Sequence, residues 1–309
     1  MRVFCTGASG YIGGSIAIAL VEQGQQVAGL VRSEEGAAKL RALGIEPVMG
    51  TLDDGKLLAD AARRADIVVN AASADHRGAA TAMLDALVGS GKTFVHTSGS
   101  SLVGKRSAGE RAEDVYDETT PVTPSPARAA RVALNEFILS YAAKGVRPII
   151  VCPSLIYGVS RGPKRHSMQV PWLIALARKN GGTARHYGPG ENVWSNVHID
   201  DLVDLYLRAI KNAPAGAFYY AENGENSMRE LGVAISRTLG QGGATRSMTL
   251  EEAVAEWGEG PAQDTMGSNS RVRAVRARKE LAWAPRAKSL LSEIADGCYS
   301  GAQSAHTKM

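Results

Sequence analysis

The chain has 309 residues, room for one large domain or two modest ones and for a substantial core. Its 44% hydrophobic and 21% charged residues exclude disorder, collagen and coiled coil. With 35 basic against 31 acidic residues, the net charge of +4 is a mild, dispersed surplus and gives no footing for nucleic acid.

The first half alternates two patterns. RVFCTG (2–7) is a short apolar run ending in glycine, and a helical pattern follows from Tyr11 to about Gln23, stopped by Gly24. Further strands are predicted at 26–31, 45–50, 66–71, 93–98 and 147–152, with helices near 34–43, 54–64, 77–89 and 126–144. The last of these, within TPSPARAARVALNEF, offers Ser125 as a cap, Pro126 for its first turn, and Arg128 and Arg131 three residues apart. Six strands with five intervening helices predict an α/β, Rossmann-type, doubly wound parallel sheet. The strands are continuous apolar runs, as burial on both faces requires.

After Pro153 the rhythm changes. A Gly/Pro/basic loop (157–166) leads to an amphipathic VPWLIALARKN, then to a strand-like SNVHI and the helix DDLVDLYLRAI; capping boxes pair Ser227 with Glu230 and Thr249 with Glu252. The predicted division is a dinucleotide-binding domain over 1–152 and a smaller, mostly helical substrate-binding portion over 153–300, with 191–213 returning to the first domain and 301–309 a frayed tail. Cys5, Cys152 and Cys298 lack CxxC spacing and read as small apolar residues of a reducing compartment. No leader or apolar run of membrane-spanning length is visible, so a cytoplasmic protein without membrane attachment is expected. The basic run RVRAVRARK (271–279) reads as a solvated helix face, and the histidines show no metal-ligand spacing.

Residues 6–13, TGASGYIG, lie where the first strand meets the first helix. Gly7 suits the tight turn, Gly10 the close approach of backbone to a pyrophosphate, and Gly13 the contact of helix and strand, while the helix N-terminus offers free N–H groups to phosphate. At the end of the second strand stand Arg32 and Ser33 in place of the acidic residue that would hold a ribose 2′-hydroxyl. A guanidinium pairs with a 2′-phosphate, so NADP(H) is expected ahead of NAD(H).

TGASGYIG, GTLDD (50–54), VVNAAS (68–73), FVHTSGSSLVG (94–104), CPSLIYG (152–158), NVHIDDLVDLY (196–206) and RARKELAWAPR (276–286) together resemble the extended branch of the short-chain dehydrogenase/reductase superfamily, over essentially the whole chain. The resemblance implies that Gly7, Ser9, Gly10, Tyr11 and Ile12 wrap the pyrophosphate and that Thr51 and Leu52 border the adenine, with Thr51 where the family commonly has aspartate. It also implies that Ala71, Ala72 and Ser73 run beside the ribose, that Pro153, Ser154 and Leu155 lie near the nicotinamide, and that the protein acts on a small-molecule substrate, as a homodimer in many members.

The family's acid/base tyrosine, with a lysine four residues on and a serine or threonine, has no counterpart here. None of the nine tyrosines has lysine four residues later, the helix at 126–144 carries Ala, Pro and Arg where the pair would align, and Gly99 occupies the hydroxyl position. An unassisted phenol, with pKa about 10, is a poor base near neutrality. Ser100, then Ser98, then Tyr157 are the substitutes the sequence offers, Arg131 supplies positive potential, and His198 reads as structural in preference to a proton relay. RGPKRH (161–166) reads equally as a contact for an anionic substrate or as a solvated loop. The leading expectation is an atypical NADP(H)-dependent oxidoreductase of a small carbonyl, enone or imine. A non-catalytic NADP(H)-binding sensor or partner-binding protein ranks second, and a sugar-nucleotide epimerase or dehydratase third.

Overall fold

A computed structural model describes residues 1–300; the predicted tail, 301–309, lies outside the described residues. The alternating pattern of the first half folds as β1 (Arg2–Thr6), α1 (Tyr11–Glu22), β2 (Gln26–Val31), α2 (Glu34–Ala42), β3 (Glu46–Met49), α3 (Gly55–Arg64), β4 (Ile67–Asn70), α4 (Arg77–Asp85), β5 (Thr93–Thr97), β6 (Lys105–Arg106), α5 (Ala129–Ser140) and β7 (Arg147–Pro153). The second half continues with β8 (Leu155–Tyr157), α6 (Gln169–Lys179), β9 (Ala184–Tyr187), β10 (Val193–His198), α7 (Ile199–Asn212), β11 (Ala217–Ala221), β12 (Glu225–Ser227), α8 (Met228–Thr238), β13 (Thr245–Met248), α9 (Leu250–Trp257), α10 (Glu259–Pro261), β14 (Ser268–Asn269), α11 (Val275–Leu281) and α12 (Leu290–Ala295).

The main sheet has seven parallel strands in the order β11-β7-β5-β4-β1-β2-β3. Its β1, β4, β5 and β7 are buried almost throughout, because α1, α2 and α7 cover one face and α3, α4 and α5 the other. The order reverses between β1 and β4, and the crevice at that switch point, beyond the strands' carboxyl ends, is where such sheets take ligands. The seventh strand, AFYYA, was not among the predicted ones: it pairs with β7 from Ala217↔Ile149 to Ala221↔Pro153, so the sheet recovers chain beyond residue 213. The second half also carries more strand than its helical reading foresaw, in β10 with β8 and β12, and in β13 with β9. Both capping boxes form as predicted.

Helix α5 starts later than its sequence suggests. Ser125 contributes only its carbonyl, which accepts from the N–H groups of Arg128 and Ala129, and Arg128 becomes the cap.

Helix α7 ties the two portions together. Asp201, 7% exposed, accepts from the backbone N–H of Arg286 and Ala287 with its carboxylate and from Trp283 Nε1 with its carbonyl. Trp283, 1% exposed, thereby packs the C-terminal chain against the main core. Trp283→Ala is expected to cost about 3–5 kcal/mol, read as a lowered denaturant midpoint; a loss below about 1 kcal/mol would mean that the C-terminal chain is not anchored there.

Candidate active site

The crevice is built from the first turn outward. Thr6, at the end of β1, donates through Oγ1 to Asn70 Oδ1 at 2.7 Å and accepts from the N–H groups of Ala71 and Ala72 at 3.2 and 3.3 Å. This clamp holds the chain after β4 against the turn. Gly7 has φ +77, and a Cβ there would lie 2.7 Å from the Ala71 carbonyl carbon; a Cβ on Gly13 would lie 2.4 Å from Gly7 O. A Cβ on Gly10 would meet only its own turn, Gly7 O at 3.0 Å, and its remaining side is open. Gly10 caps α1 without a side chain, so the first N–H groups of the helix face the crevice unpaired, a cradle fitted to a pyrophosphate.

The predicted binding residues divide by what their side chains already do. Ser9 and Ala72 are exposed, and Ile12, Ala71 and Ser73 half-buried, along the rim. Tyr11 contributes only backbone, since its side chain turns inward and donates to Gly158 O at 2.9 Å. Arg32 is exposed and makes no hydrogen bond or ion pair with the described residues, while Ser33 Oγ caps α2 by accepting from Gly36 N at 3.2 Å. Thr51 is held by the carboxylate of Asp54, which accepts from its N–H at 2.6 Å and its hydroxyl at 3.2 Å, and Leu52 packs on the core. Pro153 and Ser154 end β7, with Ser154 Oγ donating to Ala221 O at 2.8 Å; Leu155 is buried in the core of the second portion.

The groups put forward for proton transfer are engaged elsewhere. Tyr157 does not reach the crevice: β8 leaves the main sheet to pair with β10, and the phenol is buried, pushed above its ordinary pKa by desolvation, and donates to Lys288 O at 2.8 Å. Ser98 accepts from Asn135 Nδ2 at 3.0 Å, and Ser100, 1% exposed, is bonded to Ser270 Oγ at 2.9 Å. His198 serves as the cap of α7, its Nδ1 accepting from Asp200 N at 3.1 Å, and packs edge-on to Tyr157. In the 161–166 loop, Arg161 pairs with Glu22 at 2.6 Å and Gly162 packs on Gly14 of α1. The 271–279 run is not a solvated face: Arg271 is buried between Glu225 and Glu113, Arg273 also reaches Glu225, Arg276 pairs with Glu280, and Arg278 with Glu222.

What does face the crevice is a cluster that sequence reading saw only in part. Arg131 forks onto Asp75, Nε to Oδ1 at 2.8 Å and Nη2 to Oδ2 at 2.5 Å, and its Nη1 donates to Ser101 Oγ at 2.8 Å. A Cβ on Gly99 would lie 3.4 Å from the same Nη1, so the absent side chain leaves room over the guanidinium. The single 3-10 turn over Ser100–Val103 decides which serine points here: Ser101 is half-buried and Ser100 fully buried. Beneath, His96 accepts from Asn70 Nδ2 at 3.0 Å through Nδ1, and burial pushes it down to about 4, so it is neutral at physiological pH. The Arg131 guanidinium holds the Asp75 carboxyl below its ordinary value, so Asp75 is ionised there too. Asp75 and Ser101 were missed because their link to Arg131 spans 56 and 30 residues. The only local signal was their place just after β4 and β5.

A sheet of this topology with this turn defines an enzyme of the extended short-chain dehydrogenase/reductase type, for which a nicotinamide cofactor is the fitting ligand. Residues 3–219 match the model of the NAD dependent epimerase/dehydratase family, and the chain belongs to that family. It is 31% identical to the oxidase ucsJ of Acremonium sp over 95% of each chain. It is 28% identical to 4-hydroxy-2-methyl-3-oxo-4-farnesyl-3,4-dihydroquinoline-1-oxide ketoreductase of Stigmatella aurantiaca, over 72% of this chain and 69% of the relative. The fold is shared with dTDP-glucose 4,6-dehydratase of Bacillus anthracis, solved with NAD, at TM-score 0.76 and 18% identity over 96% of this chain and 95% of that one. Family and relatives support an enzyme of oxidoreductase or epimerase type. No helix among the described residues is long and apolar enough to cross a membrane.

Asp75→Asn tests the electrostatics of the cluster. A carboxyl whose folded pKa is depressed contributes stability above its unfolded pKa, about 3.9, and loses it as pH falls through the folded value. With the Asp75 side chain 57% exposed, that contribution is under about 1 kcal/mol. The variant should unfold at slightly lower denaturant than the parent at neutral pH and indistinguishably in strong acid; a gap that persists in acid would show that the loss is not one of charge.

Proposed function

We propose that this protein is an NADP(H)-dependent oxidoreductase acting on a small organic carbonyl, enone or imine, with a hydroxyl and a guanidinium where the superfamily uses tyrosine and lysine. The observation that carries the reading is Arg131, fixed by Asp75 and bonded to Ser101 at the mouth of a crevice whose other end is a bare glycine turn. The N-terminus of α1 takes the pyrophosphate. Arg32, uncommitted at the end of β2, takes the 2′-phosphate that distinguishes NADP from NAD.

When bound, the cofactor supplies the hydride that the carbonyl carbon gains, and the oxygen gains a proton, giving an alcohol. Ser101 accepts from Arg131 and so keeps its own O–H free to donate to the substrate oxygen. Arg131 stabilises the negative charge that develops there, but a guanidinium does not release its proton near neutrality. The proton therefore comes from water, which reaches the half-buried Ser101 and exposed Asp75. Asp75 holds Arg131 in place and restrains its charge from drawing in another anion. The missing phenol is thus replaced by polarisation in place of general acid catalysis, which suits substrates already activated toward hydride.

NADPH oxidation against a panel of carbonyls, enones and imines tests the reading. Ser101→Ala should lower kcat by about 10²–10³-fold with KM little changed, whereas Ser100→Ala should leave kcat within about threefold. Equal losses in both would remove Ser101 from its role, and NADPH binding without turnover of any compound would favour a non-catalytic sensor. Arg32→Ala should weaken NADPH by about 10–100-fold while leaving NADH unchanged; an unaltered preference would overturn the assignment of the 2′-phosphate to Arg32.

A further inference from the structure

A cavity of about 290 Å³ opens where the two portions meet, lined by Arg106, Ser107 and Ala108 from the first and by Tyr187, Gln263 and Gly267 from the second. Its size is at the lower edge of small-molecule sites, room for roughly a dozen heavy atoms and too little for a nucleotide sugar. One wall is the Tyr187 ring, against which Gly267 packs so closely that a Cβ there would lie 2.3 Å from it. The polar end is the Arg106 guanidinium.

Arg106 is held by two oxygens from a single turn: Nε donates to Asp264 Oδ1 at 2.6 Å and Nη1 to Gln263 Oε1 at 3.1 Å. That turn, Ala262–Met266, is wound as a π-helix, a form that recurs at functional sites. The other oxygen of Asp264 faces Arg128 at 3.8 Å, so two guanidinium groups share one carboxylate. The remaining acid near Arg106 is the exposed Glu259, which itself accepts from Gln263 at 3.4 Å. The Arg106 side chain is 54% exposed against 17% for Asp264, so solvent and an incoming anion reach the pair from the guanidinium side. Arg128, the cap of α5, stands three residues before Arg131, a rise of about 4.5 Å, so Asp264 and Asp75 pair with arginines less than one turn apart on the same helix start.

We propose that Asp264 stands in for a ligand, and that this cavity selects a small carbonyl compound bearing a carboxylate, which Arg106 grips in exchange for Asp264. The aromatic wall takes the apolar body of the molecule, and the carboxylate's fork onto Arg106 aims its carbonyl toward Ser101 and Arg131. This assignment of substrate class rests on the oxidoreductase reading.

Benzoylformate and its neutral methyl ester are matched probes of suitable size. Calorimetric titration of each into the protein saturated with NADP⁺, where no reduction occurs, reads binding alone. The acid should bind at least tenfold more tightly than the ester, Arg106→Gln should abolish that difference, and Asp264→Asn should tighten the acid about threefold to tenfold. Equal binding of acid and ester, binding of neither, or a preference that survives Arg106→Gln would overturn the proposal. Arg106 is exposed and Asp264 half-buried, so unchanged thermal midpoints are required of both variants as evidence that they fold. Turnover of neutral ketones without an acid preference sinks this inference and leaves the oxidoreductase reading standing. Arg106-dependent binding of the acid without turnover of any carbonyl supports the pocket and counts against the oxidoreductase reading alone.

Discussion

The contact of Gly13 with the Gly7 carbonyl sets the geometry from which the rest follows. With 2.4 Å between that oxygen and the place a Cβ would occupy, α1 can approach β1 only because residue 13 has no side chain. That closeness aims the first turn of α1 at the crevice, and α7 then packs beside α1 to cover the same face of the sheet. Asp201 of α7 in turn fastens the C-terminal chain. One backbone approach thus connects the phosphate cradle to the placement of the second portion, which supplies half the lining of the cavity.

Most of the sheet was legible because its strands are short apolar runs separated by helices with clear stops, and local pattern determines such elements. The exceptions have local causes. AFYYA does carry strand formers in Phe218, Tyr219 and Tyr220, but it is short, directly follows a helix and precedes an Asn/Gly turn, and its partner β7 lies far back in the chain. A serine before proline suits a cap, which points to a start of α5 at Ser125, whereas the backbone bonds accepted by Ser125 are followed by continuous helix only from Arg128.

The two ends of the crevice differed in legibility for a physical reason. Phosphate binding by a glycine turn is a demand on backbone, and backbone demands leave a contiguous signature: Gly7, Gly10, Gly13, then Arg32 at the end of β2. The reacting end is made of side chains from two segments after strands and from the first turn of α5, and nothing in their spacing shows that Asp75, Ser101 and Arg131 meet. Tyr157 illustrates the converse. It follows a strand that does end near the crevice, but the chain crosses after Pro153 to join β10, and the phenol is carried into the second core. Choosing among Ser98, Ser100 and Ser101 required the 3-10 turn, which rotates adjacent residues by roughly a third of a circle each.

The proposed replacement of tyrosine and lysine by this cluster implies a different kind of catalysis. The tyrosine and lysine work as a titrating pair whose shared proton is passed to the substrate. Here the groups around Arg131 do not titrate near neutrality: its own charge is permanent, Asp75 is held ionised beside it, and His96 below is kept neutral by burial. In the proposed reaction the site would therefore act through a fixed field, with Asp75 screening all but the side of the guanidinium that Ser101 and the space over Gly99 leave open. A fixed positive field favours substrates in which charge gathers on one oxygen, and it also draws anions. The carboxylate of Asp264 between Arg106 and Arg128 occupies a second such position on the same rim. On the proposed reading the two arginines, each paired with an internal carboxylate, would divide the work: Arg131 keeps Asp75 as its counter-ion at the reacting end, and Arg106 trades Asp264 for the carboxylate of a substrate.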